Sequence, residues 1–419
     1  MRRRSFVALA GAASAASLAP RAAHAATTEL KVFVSTQERP DVMRIAFDDY
    51  SATHKDVTVK LQPGPTTSDA QQQYLNTLLS ARDSTLDFFL MDVIRPAQFA
   101  AAKWVVPLNK AVGNVGKLMA EYLPAYAAAD QVHGELVALP GFADAMFLYY
   151  RKDLLDKYGL KPPTTWPELI EQAKKITAGE KDAQLQGLSF QGAPIEGAVS
   201  TFLLPYWSTG HSVIDDGKYE FDVAAATKAL GLWRGFIDDG ISPKTIAQTT
   251  TEDTRQEFQA GKVVFCVCWA YAWALFQGKN SNVVDKVGVA KLPAVPGGKS
   301  VSCIGGWQWG VSAFSKHKPQ ATDLVRYLSS RPVSKLLAIK ASMLPIFADV
   351  YQDPDVLKVN PWFGEAGPIV ATARSRPTTP RYNAVSEIIR TNFNAVMAGT
   401  KTAESAAKNM DVRLRRVLV

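Results

Sequence analysis

The sequence predicts an α/β protein with at least two lobes, each a mixed, mostly parallel sheet flanked by helices. At 419 residues it is two to three times the length of a typical domain of about 150 residues. Its composition, 47% hydrophobic and 21% charged, excludes a disordered chain or a small disulfide scaffold. Strands and helices alternate near its start, which is typical of right-handed crossovers and parallel pairing.

The charge balance gives no support for a nucleic-acid partner. The net charge is +8, but Arg2, Arg3, Arg4 and Arg21 lie in the first 25 residues, which contain no acidic residue. Without them the chain carries only +4. That charge is too weak to argue for a polyanion partner.

Residues 1–25 read as an export signal of the twin-arginine type. Arg3-Arg4-Ser5-Phe6-Val7 is followed by an uncharged stretch and by Ala23-His24-Ala25, and we expect cleavage after Ala25. A basic signal of the general secretory route is the alternative and leads to the same compartment. We therefore expect a periplasmic protein.

The cysteines leave the disulfide question open. Because the first cysteine is Cys266, a lipid anchor directly after the signal is excluded. Cys303 could pair with Cys266 or with Cys268, or all three could be small buried residues.

The elements of the first unit follow in order. Leu30–Val34 and Val57–Leu61 are predicted strands, and helices are predicted from Pro40 and over Asp69–Ser80. Leu86–Asp92 hardly alternates, which indicates a strand buried on both faces.

The carboxyl ends of these strands define a candidate binding edge, because open α/β sheets bind ligands there. Glu38, the loop 63–67 and Asp92 lie at or just after strand ends. A helix N-cap is the alternative role for Asp92.

The second unit begins near Pro140. Its predicted elements are a strand at Phe147–Tyr150, a helix at Arg151–Tyr158, a helix capped by Thr165, a strand at Val263–Cys268, and helices at 320–329, 333–341 and from Val385.

No catalytic or metal-binding motif is present. The four histidines beyond the signal are scattered, without an HExxH pair or a cysteine spacing suited to zinc, and we expect no cofactor. A secreted glycoside hydrolase using two of Glu38, Asp92 and Asp144 is a remote alternative.

A binding function has more support. The chain has nine tryptophans, and Gly305-Gly306-Trp307-Gln308-Trp309-Gly310 is typical of an aromatic face presented at a glycine-rich turn. Indole faces edged by carboxylates suit sugars, which offer apolar C–H faces ringed by hydroxyl donors. The alternative is that each tryptophan packs in the core.

Several motifs together resemble the extracellular solute-binding proteins of ABC sugar importers, family 1. They are Ala138–Leu155, Pro162–Glu168, Gly261-Lys262, Trp269-Ala270-Tyr271, Gly305-Gly306-Trp307 and Arg376–Tyr382 with Ser386. The similarity covers essentially all of 27–419 and is greatest to the trehalose/maltose/sucrose-binding subgroup.

This resemblance implies a two-lobe periplasmic binding protein fold of type II, with three hinge crossings near Phe142, Ile304 and Ala348. The N-terminal lobe would comprise residues 26–142 and 305–348, and the C-terminal lobe residues 143–304 and 349–419.

The resemblance also implies the ligand contacts. They fall on Glu38, Asp92, Asp144, Trp269, Tyr271, Gly306, Trp307, Arg376, Thr67 and Gln73. Asp41, Thr66 and Gln72 are alternatives to Glu38, Thr67 and Gln73. Phe142 stands where the subgroup often has tyrosine, which removes one hydroxyl.

The implied function is a monomeric receptor that captures a disaccharide by lobe closure and delivers it to the transmembrane subunits of an ABC permease. A polyol, a glycerophosphodiester or another oligosaccharide is the alternative ligand.

Overall fold

The computed structural model describes residues 27–35, 38–215 and 217–419; the expected signal peptide lies outside them. The strands described are β1 (Thr28–Phe33), β2 (Val57–Gln62), β3 (Phe88–Asp92), β4 (Gln131–Val132), β5 (Glu135–Leu136), β6 (Leu139–Arg151), β7 (Gln186–Ser189), β8 (Ile214–Asp215), β9 (Lys218–Tyr219), β10 (Val263–Trp269), β11 (Val287–Ala290) and β12 (Ile304–Val311).

The helices lie before, between and after these strands, with short 3₁₀ turns at Lys244–Gln248 and Asp349–Gln352. They are α1 (Pro40–Thr53), α2 (Ser68–Ser80), α3 (Pro96–Ala101), α4 (Asn109–Val112), α5 (Val115–Met119), α6 (Pro124–Ala129), α7 (Lys152–Lys157), α8 (Trp166–Glu180), α9 (Glu196–Ser208), α10 (Val223–Asp238), α11 (Thr251–Gln259), α12 (Ala272–Phe276), α13 (Lys318–Leu328), α14 (Arg331–Ala341), α15 (Pro354–Val359), α16 (Phe363–Ala371), α17 (Tyr382–Met397) and α18 (Ala403–Leu418).

The largest sheet is mixed and has the order β3-β12-β6-β10-β7, with β11 also paired to β6. Strand β12 is antiparallel to both β3 and β6, and β10 is antiparallel to β6 but parallel to β7. Parallel pairing also joins β1 to β2. Pairing in the large sheet is thus more often antiparallel than we expected, because the late strand β12 inserts between β3 and β6.

The long strand β6 connects the two halves of the molecule. It pairs with β12 over Leu139–Ala145 and with β10 over Met146–Tyr150. The predicted crossings near Phe142 and Ile304 lie on β6 and at the start of β12. The lobe boundaries and the third crossing remain predictions.

The described residues form two extensive hydrophobic cores and a smaller third one, and the first core includes residues of both predicted lobes. The first core contains Leu30, Phe88 and Trp309, and the second is built around Trp166 and Trp233. Successive side chains of β6 point to opposite faces. As a result, Phe147 and Tyr149 join the first core, whereas Met146 and Leu148 join the second.

The glycine-rich segment 305–310 is a strand, not the turn that we predicted from its composition. It forms most of β12 and is paired on both sides. Glycine predicts a turn when only local conformation is considered, whereas here two neighbouring strands supply the backbone hydrogen bonds. The register of β12 against β6 shifts after Trp307. This irregularity separates the part of β12 that ends at Trp307 from the rest of the strand.

Cys266, Cys268 and Cys303 are all buried and unpaired, which agrees with the alternative of three small buried residues. Within the described ranges, no helix has the length and apolar character needed to cross a membrane.

Candidate functional site

A cavity of about 300 Å³ opens where β3, β6, β10 and β12 meet the N-terminal ends of α2, α9 and α11. Its lining combines carboxylates, aromatic rings and backbone. The lining residues are Thr67, Ser68, Asp69, Asp92, Phe142, Asp144, Ile195, Glu196, Gly197, Thr250, Thr251, Glu252, Trp269, Tyr271, Gly305, Gly306, Trp307 and Arg376. Eight of the ten predicted contact residues thus lie around one cavity.

Sheet register places one acid and one indole side by side. Asp92 ends β3 and is the partner of Trp307 on β12, while Phe142 of β6 flanks Trp307 on its other side. Gly306 precedes this indole with φ = +101°. A Cβ atom at Gly306 would lie 2.6 Å from the carbonyl oxygen of Phe142, so only glycine fits here.

Asp144 is held by backbone groups of two neighbouring segments, β6 and the end of β10. Its Oδ1 atom accepts hydrogen bonds from the backbone N–H groups of Ala145 and Ala270, each at 2.8 Å. The Tyr126 hydroxyl donates to the Asp144 carbonyl oxygen at 2.8 Å. Burial raises the pKa of Asp144 to about 7, against the opposing effect of these two backbone donors. This carboxyl can therefore serve as an acceptor for ligand hydroxyls from about neutral pH upward.

Two aromatic side chains enter the cavity from the end of β10. The Trp269 ring lies against Gly305, where an added Cβ atom would be 2.7 Å from the ring. Its Nε1 atom donates to Gln191 Oε1 at 3.3 Å, and the Tyr271 hydroxyl donates to Glu252 Oε1 at 2.6 Å. These contacts orient both rings at the cavity.

Arg376 spans the cavity between two carboxylates. Its Nη2 atom donates to Asp92 Oδ1 at 2.7 Å and its Nη1 atom donates to Glu196 Oε1 at 2.8 Å. Only 2% of the arginine is exposed. Sequence reasoning expected Arg376 to donate to the ligand, whereas in the structure both terminal nitrogens already bind acids.

Glu196 is a site residue that sequence reasoning missed. It is buried in the first turn of α9, where its carboxylate also accepts hydrogen bonds from Tyr382 and from Ser386, the latter at 2.6 Å. Burial alone would raise the pKa of Glu196, but Arg376 and other donors around it hold that pKa below its ordinary value. An acid just before the long uncharged run 198–207 was the available signal.

A family model described as "Bacterial extracellular solute-binding protein" matches residues 35–335. The chain belongs to this family. Members are binding proteins rather than enzymes and act outside the cytoplasm, which agrees with the expected export.

Curated relatives of this solute-binding protein match it over most of its length. A "Probable ABC transporter-binding protein" of Deinococcus radiodurans is 36% identical over 370 residues, 86% of each chain. A "Mannitol-binding protein" of Pseudomonas aeruginosa is 21% identical over 361 residues, 80% of this chain and 81% of the relative.

Solved structures show the same two-lobe fold. The maltose-bound MalE3 protein of T. maritima superimposes with a TM-score of 0.85 at 32% identity, covering 93% of this chain and 99% of the other. This similarity confirms the predicted architecture.

Glu38 and Gln73 of this solute-binding protein lie outside the cavity lining, and Thr67 lies at its edge. Gln73 is exposed on α2, and the Thr67 hydroxyl caps that helix by accepting from the backbone N–H of Ala70 at 3.3 Å. Glu38 is 1% exposed and accepts a hydrogen bond from the backbone N–H of Ser35 at 2.8 Å. Burial raises the pKa of Glu38 from 4.5 to about 7.

We expect Glu38→Gln to stabilise the protein at pH 8 and to change little below pH 4.5. The folded-state pKa lies above the ordinary value, so protonation of Glu38 favours folding, and that contribution is lost as pH rises from 4.5 to about 7. The shift corresponds to about 3 kcal/mol in the free energy of unfolding. Urea unfolding of wild type and variant across this pH range measures the difference in stability. Asp144 also has a raised pKa, but its effect is the same in both proteins.

The matched control is Glu365→Gln at an exposed position of α16, which should shift stability equally at both pH values. A pH-independent effect of Glu38→Gln would contradict the assigned pKa.

Proposed function

We propose that this protein is the periplasmic receptor of an ABC importer and that it captures an uncharged polyhydroxylated ligand, foremost a disaccharide of the trehalose, maltose or sucrose type. It releases this ligand to the transmembrane subunits of the permease. The signal at residues 1–25 would deliver the receptor to that compartment, where we expect it to act as a monomer.

The observation that carries this proposal is the pairing of carboxylates with indole faces in one cavity. Asp92 and Asp144 supply oxygen acceptors for ligand hydroxyls, while Trp269 and Trp307 supply flat apolar faces. Each hydrogen bond to a charged group contributes about 1.5–3 kcal/mol. A micromolar dissociation constant corresponds to about −8 kcal/mol, so a few such bonds with ring stacking suffice.

The charges around the cavity favour an uncharged ligand over a phosphodiester. Among the described residues of the lining, five are acidic and one, Arg376, is basic. Arg376 is already paired with two of the acids. A glycerophosphodiester would therefore meet net negative charge, and we rank it below sugars and polyols.

A polyol is the second candidate ligand. The cavity volume of about 300 Å³ is at the small end of ligand sites, and the Pseudomonas aeruginosa relative is named a mannitol-binding protein. The T. maritima protein of higher identity is described as maltose-bound, which supports the disaccharide.

Calorimetry of the mature protein against trehalose, maltose, sucrose, mannitol, ribitol and a glycerophosphodiester tests the proposal. We expect saturable heat with at least one disaccharide and none with the phosphodiester. Binding of polyols alone would reassign the ligand, and no heat or melting shift with any sugar or polyol would refute the sugar receptor.

For a disaccharide that binds, Trp269→Ala should raise the dissociation constant at least about tenfold, because the variant loses a preformed stacking face at the cavity. The control is Trp273→Ala. Trp273 stacks on Trp362 with ring centroids 5.1 Å apart and is outside the cavity lining. Equal losses of affinity in both variants would show that Trp269 does not contact the sugar.

A further inference from the structure

We propose that the ligand extends beyond the cavity around Trp269 (the inner cavity) into a second, adjoining cavity, and that it is therefore a glycan of three or more sugar units. This outer chamber has a volume of about 380 Å³ and lies between Arg39, Leu275 and Met343. The inference rests on the proposed function, because it concerns the length of the polyhydroxylated ligand that the receptor captures.

The outer chamber adjoins the inner cavity at Tyr271. Three residues line both spaces, and they come from separate segments of the chain: Thr67 directly before α2, Glu252 in α11, and Tyr271 between β10 and α12. The Tyr271 hydroxyl donates to Glu252 Oε1 at 2.6 Å, which fixes the position of the ring between the two spaces. A ligand that leaves the inner cavity beside Tyr271 therefore enters the outer chamber.

The volumes of the two spaces favour a ligand that occupies both. The inner cavity, at about 300 Å³, is at the lower limit of the range of about 300–1,000 Å³ that is typical of ligand sites. The outer chamber more than doubles the available space. The inner cavity alone thus suits a small sugar or a polyol, whereas the two together suit a longer chain.

One part of the outer chamber is apolar. It is formed by Ala274 and Leu275 of α12, by Ala341 at the end of α14, and by Met343. Leu275 is 41% exposed, so folding leaves much of this side chain in contact with water. A sugar ring that placed a C–H face on Leu275 would remove that apolar surface from water, which favours binding.

The rest of the outer chamber offers polar groups without net charge. Thr66 and Thr67 carry hydroxyls, and of the described residues in this lining only Arg39 is basic and only Glu252 is acidic. Arg39 binds Asp41 through its Nε and Nη2 atoms at 2.9 and 2.8 Å, and its Nη1 atom takes part in neither bond. Hydroxyls beside an apolar face, with balanced charge, suit a further uncharged sugar unit.

Affinity should therefore rise with chain length. We expect at least one trisaccharide to bind at least about tenfold more tightly than the disaccharide it contains, because the third unit adds apolar contact and hydrogen bonds in the outer chamber. Calorimetry of the mature protein with the pairs maltose and maltotriose, and sucrose and raffinose, measures this ratio.

Leu275→Ser tests the outer chamber alone, because Leu275 is outside the lining of the inner cavity. It should weaken trisaccharide binding about fivefold and leave disaccharide binding unchanged. Thr66→Val removes a hydroxyl at another exposed position of the outer chamber and should also weaken only the trisaccharide. The matched control is Val284→Ser, which should change neither affinity. Val284 is 37% exposed and lines neither space.

Two results would overturn the inference while the protein still binds a sugar. One is disaccharide binding that no trisaccharide exceeds. The other is a gain for the trisaccharide that both Leu275→Ser and Thr66→Val leave unchanged. In either case the receptor for a disaccharide stands, so this failure is distinct from failure of the proposed function. A protein that bound no sugar, or polyols alone, would refute the longer ligand as well.

Discussion

Replacement of Arg376 by methionine is expected to lower the free energy of unfolding by about 3–5 kcal/mol, since it removes one partner from a buried ion network. The side chain is 2% exposed and pairs with Asp92 and Glu196. Methionine fills part of the volume but leaves the Glu196 carboxylate buried without its cation. Urea unfolding at pH 7 measures the loss.

The control for Arg376→Met is Lys408→Met. Lys408 pairs with Glu404 on the surface of α18, where both side chains are about two-thirds exposed, at 65% and 66%. Surface pairs of this kind contribute little to stability, so no measurable change is expected. Equal stability of Arg376→Met and wild type would mean that the ion network is not formed in solution.

Gly306→Ala is expected to lower the free energy of unfolding by about 2–4 kcal/mol and to reduce sugar affinity. A non-glycine residue in a left-handed conformation costs about 1–2 kcal/mol, and the methyl group would also press on the Phe142 carbonyl oxygen. Relief of that contact must displace β12 and with it Trp307. Urea unfolding measures the loss of stability, and calorimetry on the same preparation measures the loss of sugar affinity.

Gly210→Ala is the matched control, because it adds a methyl group at a positive φ without a steric contact. Its φ is +95°, and a Cβ atom there would meet nothing within 4 Å. Gly210→Ala should therefore lose only about 1–2 kcal/mol and leave sugar binding unchanged. If the two variants lost equal stability, the close approach at Gly306 would have no energetic role.

Local patterns were sufficient for most elements of the first unit and for the starts of its first two helices. The helix predicted to begin at Pro40 does so, and the helix predicted over Asp69–Ser80 spans Ser68–Ser80. Asp92 ends its strand as expected. These features depend on residue spacing and capping within one or two turns, which a single sequence contains.

The order of motifs predicted the family, and the family comparison confirms it. The same motifs pointed to Asp92, Asp144, Trp269 and Trp307, which the fold brings to one cavity. Whether these residues bind a sugar stays a prediction.

What the amino-acid sequence determined by itself was therefore the α/β class, the family and eight of the residues that line the cavity. Only the tertiary structure decided that 305–310 is a paired strand and that Arg376 is shared between two acids. Its partners Glu196 and Asp92 lie 180 and 284 residues away along the chain. A long-range pair of this kind depends on how two cores pack against each other, and no local pattern of residues records that packing.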